Sequence, residues 1–397
     1  MNALEAMAPA PAPRHLLVYE PRTEGHHLGW LRFIVGDLLD AGVRLSLAAD
    51  LRPGRRERLE EQLGDLLPRV RLWSAYDERG RRHLDGKARS VAHCFVQSGA
   101  DQVFLCALDE IASSCWRRAT LGIDPPAVLR GRIGGIYHRP RFLRAPPRSF
   151  DRWSKAPGFA RLLAAGWWRQ IVLLDEFLAA DLAAAHRQWP IHFLPDPCPA
   201  DYESARTAAR ERLGLPADRY MFLFYGTGAR RKGLHLAVEA MRWLAATTPA
   251  FLLCAGEQRP RGRTAADLAA LAGGGHALLL DRYVSDNEER DCFAACDAVL
   301  LPYLNHFGTS GVLSRAMAAA RPVIVSDEQL LGHLTRAHGL GFTFASGRSD
   351  ALAAAMTAAL RAAPAEVAQF EAAAGRYAAR YSRAAFKTQL LRSLGVA

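Results

Sequence analysis

The chain has 397 residues, half of them hydrophobic, and a formal charge of +11 with a pI near 9.6. That length suffices for two or three cores, and the basic balance favours anions such as nucleotide diphosphates or phospholipid head groups. The basic residues are scattered and no nucleic-acid module is legible, so that class of partner is excluded. The seven cysteines lie mostly in apolar runs and read as buried thiols of a reducing compartment. No Cys or His set completes a metal site, and no metal ligand is expected. Residues 1–14 read as a disordered lead-in without the pattern of a signal peptide, and no apolar run reaches the roughly 20 residues needed to cross a bilayer. The expectation is a cytoplasmic protein, able to lie at the inner face of the membrane.

In chain order, a strand at 15–19 runs through a loop containing Gly25, His26 and His27 into a helix over 28–41, and a second strand follows at 43–48. Helices at 55–67 and 89–97 alternate with strands at 70–73 and 102–106. Asp109 follows the last of these, at a strand end where ligands of open α/β sheets collect; it also has a sufficient explanation as the cap of a helix over 111–120. Ile136 is strand-like and Pro140 stops regular structure, so His138 is presented at a strand end, where it can orient or deprotonate a hydroxyl. From Phe142 to Gln170 the rhythm is interrupted: Arg148, Arg152, Lys155, Arg161 and Arg169 alternate with Phe150, Trp153, Phe159, Trp167 and Trp168. Such interleaving suits an interfacial segment on anionic membrane; the alternative is an ordinary helix packed on the sheet. Pro157 and Gly158 are expected to break any long helix here. Strands at 171–174 and 191–194 end at Pro195-Asp196-Pro197, which can continue neither strand nor helix and reads as the domain boundary.

The second half repeats the alternation. A helix over 202–213 precedes a strand at 220–225, which runs into Gly226-Thr227-Gly228-Ala229-Arg230-Arg231-Lys232-Gly233 and a helix over 234–244. This loop matches neither the P-loop nor the dinucleotide spacing, but Lys232 is one of only four lysines in the chain and follows Arg231. Further strands are expected at 251–254 and 277–280, then Arg282-Tyr283-Val284 and a helix over 288–296. Apolar runs at 298–301 and 322–325 flank a loop carrying His306, Gly308 and Thr309. Ser310 then caps a helix whose first residues are Gly311 and Val312. The unpaired N–H groups and positive dipole end of that helix make a ready site for a phosphate.

The run RYVSDNEERDCFAACDAVLLPYLNHFGTSGVLSRAMAAARPVIVSD, together with the Lys232-Gly233 step, resembles the nucleotide-sugar-binding half of the glycosyltransferase family 4 proteins. The resemblance implies an α/β chain of GT-B fold: two Rossmann-like domains facing a cleft, with a C-terminal helix crossing back to the first. The corresponding bounds are 15–197 for an acceptor domain, 198–380 for a nucleotide-sugar domain and 381–397 for the crossover helix, which includes YSRAAFKTQ. It implies donor contacts from Gly226, Thr227, Lys232, Arg282, Tyr283, Val284, His306, Gly308, Thr309, Ser310, Gly311 and Val312. Acceptor contacts would come from Gly25, His26, His27 and Asp109, and catalytic roles from His138, Arg231 and Lys232. The chain departs from the family in one respect. The usual paired glutamates are missing: Arg315 occupies the place of the one on the nucleotide ribose, Phe307 stands near that of the other, and no Asp or Glu occurs from Ala298 to Ser326. Arginine has no acceptor, so Arg315 is expected to pair with phosphate or with a carboxylate elsewhere.

The expected function is glycosyl transfer from a nucleotide diphosphate sugar to a glycan or lipid-linked acceptor, retaining and metal-independent, with no cofactor beyond the donor, and peripheral contact with anionic membrane. Two alternatives stay open: a GT-B epimerase or phosphorylase, and a catalytically silent GT-B subunit that binds or scaffolds a partner.

Overall fold

In the computed structural model of the protein, residues 14–22, 27–84, 86–200, 202 and 205–396 are described. The chain divides into two compact units, Met1–Pro195 with Ala384–Ala397, and Asp196–Arg383. Unit 1 holds seven strands: β1 (His15–Glu20), β2 (Arg44–Ala49), β3 (Val70–Ser74), β4 (Gln102–Leu105), β5 (Ile133–Tyr137), β6 (Trp168–Leu173) and β7 (Ile191–Phe193). They lie in the order β3-β2-β1-β4-β5-β6-β7, every pair parallel. Unit 2 holds six more: β8 (Tyr220–Tyr225), β9 (Ala250–Ala255), β10 (Ala277–Leu280), β11 (Ala298–Leu301), β12 (Val323–Ser326) and β13 (Gly341–Phe344). Their order is β10-β9-β8-β11-β12-β13, again all parallel. Each unit is therefore a doubly wound Rossmann-like sheet, with its topological switch at β1/β4 and at β8/β11 respectively.

The strands read as continuous apolar runs because helices cover both faces. In β1, Leu17 and Tyr19 enter one buried cluster while Leu16 and Val18 enter the other. The second cluster also takes Phe386, Leu390 and Leu394 from the end of the chain. The Phe386 ring lies 5.4 Å from Trp30 and 6.2 Å from Phe33, and Lys387 Nζ is 3.2 Å from Asp40 Oδ2. Among the described residues no helix is long and apolar enough to cross a membrane.

Several boundaries expected from the sequence shift. The helix expected over 55–67 ends at Leu63, and the one expected from residue 202 starts at Arg206. The expected helix over 288–296 begins at Asp286 because Ser285 caps it. The larger correction concerns 142–170. Pro157 and Gly158 do not break a helix there: Phe150–Ala164 is continuous, with Pro157 inside it. The hydroxyl of Thr120, from the neighbouring helix Asp109–Thr120, accepts from Gly158 N at 3.0 Å and lies 3.1 Å from the Ser154 carbonyl, so it stands in for the intrahelical bond that the proline disturbs. Strand β6 also begins earlier than expected, at Trp168. Trp167 and Trp168 are each only 4% exposed, and Phe159 is buried beside Trp116. Packing on the sheet accounts for these three rings, and the membrane-facing reading of them is withdrawn.

Gly158 marks the closest approach of the two helices, since a Cβ there would collide with the Trp116 carbonyl oxygen and lie 2.6 Å from Thr120 N. Alanine favours a helix interior by about 1 kcal/mol over glycine. Overpacking against backbone outweighs that, and Gly158→Ala should destabilise unit 1 by about 3 kcal/mol. A urea midpoint unchanged from wild type would contradict this packing.

Candidate active site in the second unit

At the switch point of unit 2, the loops leaving β8 and β11 lie side by side. The first is Gly226–Gly233. Gly226 adopts φ +113°, and the Lys232 ammonium lies so close over it that a Cβ would strike Nζ. Gln258, almost fully buried, donates its amide to the carbonyls of Gly226 and of Ala255, the latter at 3.0 Å, and so fixes the floor of the loop. Gly233, at φ +76°, packs against the Pro302 carbonyl and ties the two loops together. Lys232 Nζ is 5.7 Å from the Tyr303 ring centroid. Burial, followed by the nearby Arg231 and Arg315 guanidinium groups, pushes its pKa down from 10.5 to about 8. A half-buried ammonium among other cations is a group waiting for an anion.

The second loop follows β11. Leu304 N donates to the Arg231 carbonyl at 2.7 Å, which joins it to the first. Arg231 Nη1 donates to His306 Nδ1 at 3.3 Å, and His306 Nε2 donates to the Thr309 carbonyl at 2.9 Å. The imidazole thus holds Arg231 against the segment that enters the helix Gly311–Ala318. Ser310 caps that helix, its hydroxyl accepting from Val312 N and reaching Tyr303 Oη at 3.4 Å. Gly308 is half-buried within this segment. Behind the loop a cavity of about 10 Å³ beside Tyr303, His306 and Ser326 has room for a water at most. The groups that front the two loops are the half-buried Lys232, the exposed Arg231 and the exposed Gly311 at the helix start.

Arg315 finds its carboxylate. Its Nε is 2.8 Å from Glu289 Oε1, and its Nη1 donates to the Gly311 carbonyl at 3.0 Å. Glu289 also accepts from the Tyr202 hydroxyl and, at 2.5 Å, from the Tyr225 hydroxyl. Burial would raise the Glu289 carboxyl pKa, but the Arg315 charge and the two phenol hydroxyls outweigh it and leave it lowered. The ion pair to a carboxylate that two phenol hydroxyls also hold makes Arg315 a fixed part of the wall. Sequence reading missed Glu289: it lies in an ordinary helical turn, and nothing in its neighbourhood marks it. The expected helix over 288–296 likewise overlooked the capping box of Ser285 and Glu288, which starts the helix at Asp286.

Of the remaining donor-side residues, Arg282 is clamped by Glu288, with Nη1 2.9 Å from Oε2. Tyr283 is exposed and Val284 buried. Ser285 and Glu288 exchange bonds that shape this turn, so its backbone is fixed independently of Tyr283. Thr227 is exposed beside Gly226.

In unit 1, His138 Nε2 donates to the Cys106 carbonyl at 2.8 Å, and the ring lies 5.5 Å from Trp30. That bond selects the tautomer whose basic nitrogen is Nδ1. Asp109 is not the cap of its helix, which has Leu108 in that place. Its carboxylate instead accepts from the backbone N–H groups of His138, at 2.8 Å, and Arg139, at 3.0 Å, and so holds the loop after β5 to the helix after β4. Gly25, His26 and the His27 side chain lie outside the described residues. Among the described residues no three His, Cys, Asp or Glu side chains gather as a metal site.

Residues 205–378, most of unit 2, match the family described as "Glycosyl transferases group 1". The chain is 34% identical over 132 residues to a D-inositol 3-phosphate glycosyltransferase of Xylanimonas cellulosilytica, covering 33% of this chain and 31% of the relative. It is 30% identical over 195 residues to a protein of the same name from Thermobispora bispora, covering 47% of this chain and 45% of that one. The chain thus spans less than half the length of these curated relatives. Over nearly its whole length the fold is similar to that of Anabaena HepE in complex with UDP, with a TM-score of 0.68 at 14% identity and coverage of 96% of this chain and 99% of the other. Two parallel Rossmann-like units of this kind are the GT-B fold.

Proposed function

We propose that this chain is a glycosyltransferase that takes a nucleotide diphosphate sugar as donor and holds it in unit 2 chiefly through the diphosphate. The observation that carries the reading is the pairing of two features at the β8/β11 switch point. Lys232 is a half-buried ammonium whose pKa is pushed down to about 8, and beside it the helix capped by Ser310 presents unpaired amides. The family match over 205–378 and the UDP-bound structural neighbour support the same donor chemistry. In transfer, the bond between the anomeric carbon and the diphosphate oxygen breaks, and the oxygen keeps the electron pair. The developing charge is met by Lys232, by Arg231 positioned through His306, and by the amide at Gly311, with no metal required. The acceptor hydroxyl attacks the anomeric carbon and passes its proton to the departing diphosphate oxygen; His138 is proposed to orient that hydroxyl. Retention of anomeric configuration and the base contact at Arg282–Val284 belong to the same proposal.

The test is release of nucleoside diphosphate from a panel of nucleotide sugars. At least one should turn over, and the ribose 2′-hydroxyl should matter little, because Arg315 cannot accept from it and Glu289 is already engaged by Arg315 and the Tyr202 and Tyr225 hydroxyls. Removing that hydroxyl should change affinity by less than about 1 kcal/mol, the value of one neutral hydrogen bond. Binding of a nucleotide sugar without any turnover would favour the silent-subunit reading, and no binding at all would overturn the donor site.

Peripheral membrane contact, proposed for the same reaction, rests on the two of the five interleaved rings that are exposed. Phe150 and Trp153 are 70% and 68% exposed, with rings 6.0 Å apart on the first turns of their helix, next to exposed Arg148. Sedimentation with anionic vesicles should depend on Phe150 and Trp153; retention equal to wild type in the Phe150→Ala/Trp153→Ala variant would rule this contact out.

A further inference from the structure

Lys87, Lys155, Lys232 and Lys387 are the four lysines of the chain, and three of them stand on carboxylates. Lys87 Nζ lies 3.3 Å from Glu110 Oε2, Lys155 Nζ 2.5 Å from Asp151 Oδ1 and Lys387 Nζ 3.2 Å from Asp40 Oδ2. Each carboxylate favours the ammonium form, whose nitrogen has no lone pair to share. Lys232 is built the other way. Among the described residues no carboxylate pairs with it and no hydrogen bond holds its nitrogen. Its neighbours are the Gly226 backbone it lies against, the Tyr303 ring centred 5.7 Å from Nζ, and the guanidinium groups of Arg231 and Arg315.

Both guanidinium groups are anchored, Arg231 by His306 and Arg315 by Glu289 and the Gly311 carbonyl. Lys232 therefore stays beside them, and its nitrogen holds a lone pair from about pH 8 upward rather than from 10.5. A desolvated lysine next to another cation is a nucleophile. The other reagent such a place attracts is an anion. Arg231 is exposed and spends one N–H on His306, which leaves the rest of its fork for a phosphate standing next to the Lys232 nitrogen.

We propose that Lys232 is a site of covalent acylation by acyl phosphates, Arg231 drawing in the phosphate while the amine attacks the acyl carbon. The Lys232 nitrogen forms a C–N bond to that carbon, and the C–O bond to the phosphate breaks. The phosphate leaves with the electron pair and takes the proton that the nitrogen gives up. An ammonium becomes a neutral amide. The proposal rests on the donor reading in one respect: the acyl phosphate and the donor diphosphate share this anion site, so acylation silences it.

The experiment is incubation of the full chain with acetyl phosphate from neutral to alkaline pH, with the acetylation of each lysine followed by peptide mass spectrometry. UDP is titrated calorimetrically into the protein before and after the reaction. At neutral pH Lys232 should react roughly tenfold faster than Lys87, Lys155 or Lys387, as an amine already freed of its proton. Its rate should level off above about pH 8, while that of the other three goes on rising. Inorganic phosphate and UDP should both slow it. Arg231→Gln, a change at an exposed side chain, should cut the rate with acetyl phosphate roughly tenfold, as for a lost charge-assisted contact. The same variant should lose nothing with phenyl acetate, an acylating agent that carries no phosphate. Protein acetylated at Lys232 should bind UDP roughly tenfold more weakly or worse. Acetylation of Lys232 no faster than of the other three lysines, or as fast in Arg231→Gln as in wild type, would overturn this inference. The donor reading would then stand wherever untreated protein still binds UDP. Selective acetylation that inorganic phosphate slows, in a protein that does not bind UDP, would support the acylation site and count against the donor reading.

Discussion

Replacing Lys232 with alanine should weaken nucleoside diphosphate binding by about 1.5–3 kcal/mol, roughly tenfold to over a hundredfold, the range for hydrogen bonds to charged groups. The same change should leave the empty protein no less stable. Lys232 is held at a pKa of about 8 against 10.5 for an unburied lysine, because burial and the neighbouring Arg231 and Arg315 disfavour its charged form. Below pH 8 the ammonium is charged in both folded and unfolded states, so the cost of holding it there is fully present. Between pH 8 and 10.5 the folded protein sheds the proton first and that cost is relieved. Alanine removes the cost at neutral pH and removes the anion contact with it. Binding carries the opposite sign, since a diphosphate favours the ammonium. Wild-type affinity should therefore decline as pH rises through about 8, and the alanine variant should show no such inflection there. Equal affinities in the two proteins, measured calorimetrically at pH 7, would remove Lys232 from the donor site.

Arg315→Glu is the second large effect, and its direction runs against the resemblance. The substitution puts a carboxylate where family 4 glycosyltransferases usually have one, yet here it would face Glu289, which lies 2.8 Å from Arg315 Nε. Glu289 would lose its only charged partner among the contacts described and gain a like charge. The Arg315 side chain is 35% exposed and that of Glu289 13%, so water screens part of the loss; Arg315→Glu should cost about 1.5–3 kcal/mol, the range for contacts to charged groups, without improving nucleotide binding. Arg315→Met should lose less, because the Tyr202 and Tyr225 hydroxyls still satisfy Glu289. Thermal or urea unfolding ranks the three proteins. An Arg315→Glu variant as stable as wild type and tighter for nucleotide would show that Arg315 is a substitute for the glutamate and that the site retains room for it.

The parts of this site that depend on local chemistry could be read from the chain. The apolar runs of β11 and β12, the cap at Ser310 and the Lys232-Gly233 step all place themselves through neighbours in sequence, and each appears where a doubly wound sheet needs it. The fold followed from the same alternation. Contacts between distant segments were not legible. Glu289 meets Arg315 from another helix, Gln258 reaches the Gly226 carbonyl from the loop after β9, and Glu110 meets Arg22 across 88 residues. Pro157 misled for the same reason. Its usual effect on a helix is set by the local backbone, and here the hydroxyl of Thr120, 38 residues from Gly158, supplies the missing partner. The tryptophan pattern of 167–168 misled because an aromatic beside an arginine looks alike in sequence whether the ring faces lipid or, as here, the core.

The most direct measurement of the central claim, that unit 2 grips a donor by its diphosphate, is a calorimetric titration of the wild-type protein at pH 7 with UDP and other nucleoside diphosphates and, in parallel, with the matching nucleosides. At least one diphosphate should bind, and its nucleoside should be weaker by about a hundredfold or more, since two or more charge-assisted contacts are lost with the phosphates. Equal affinity for a diphosphate and its nucleoside, or no binding of any diphosphate, would contradict it.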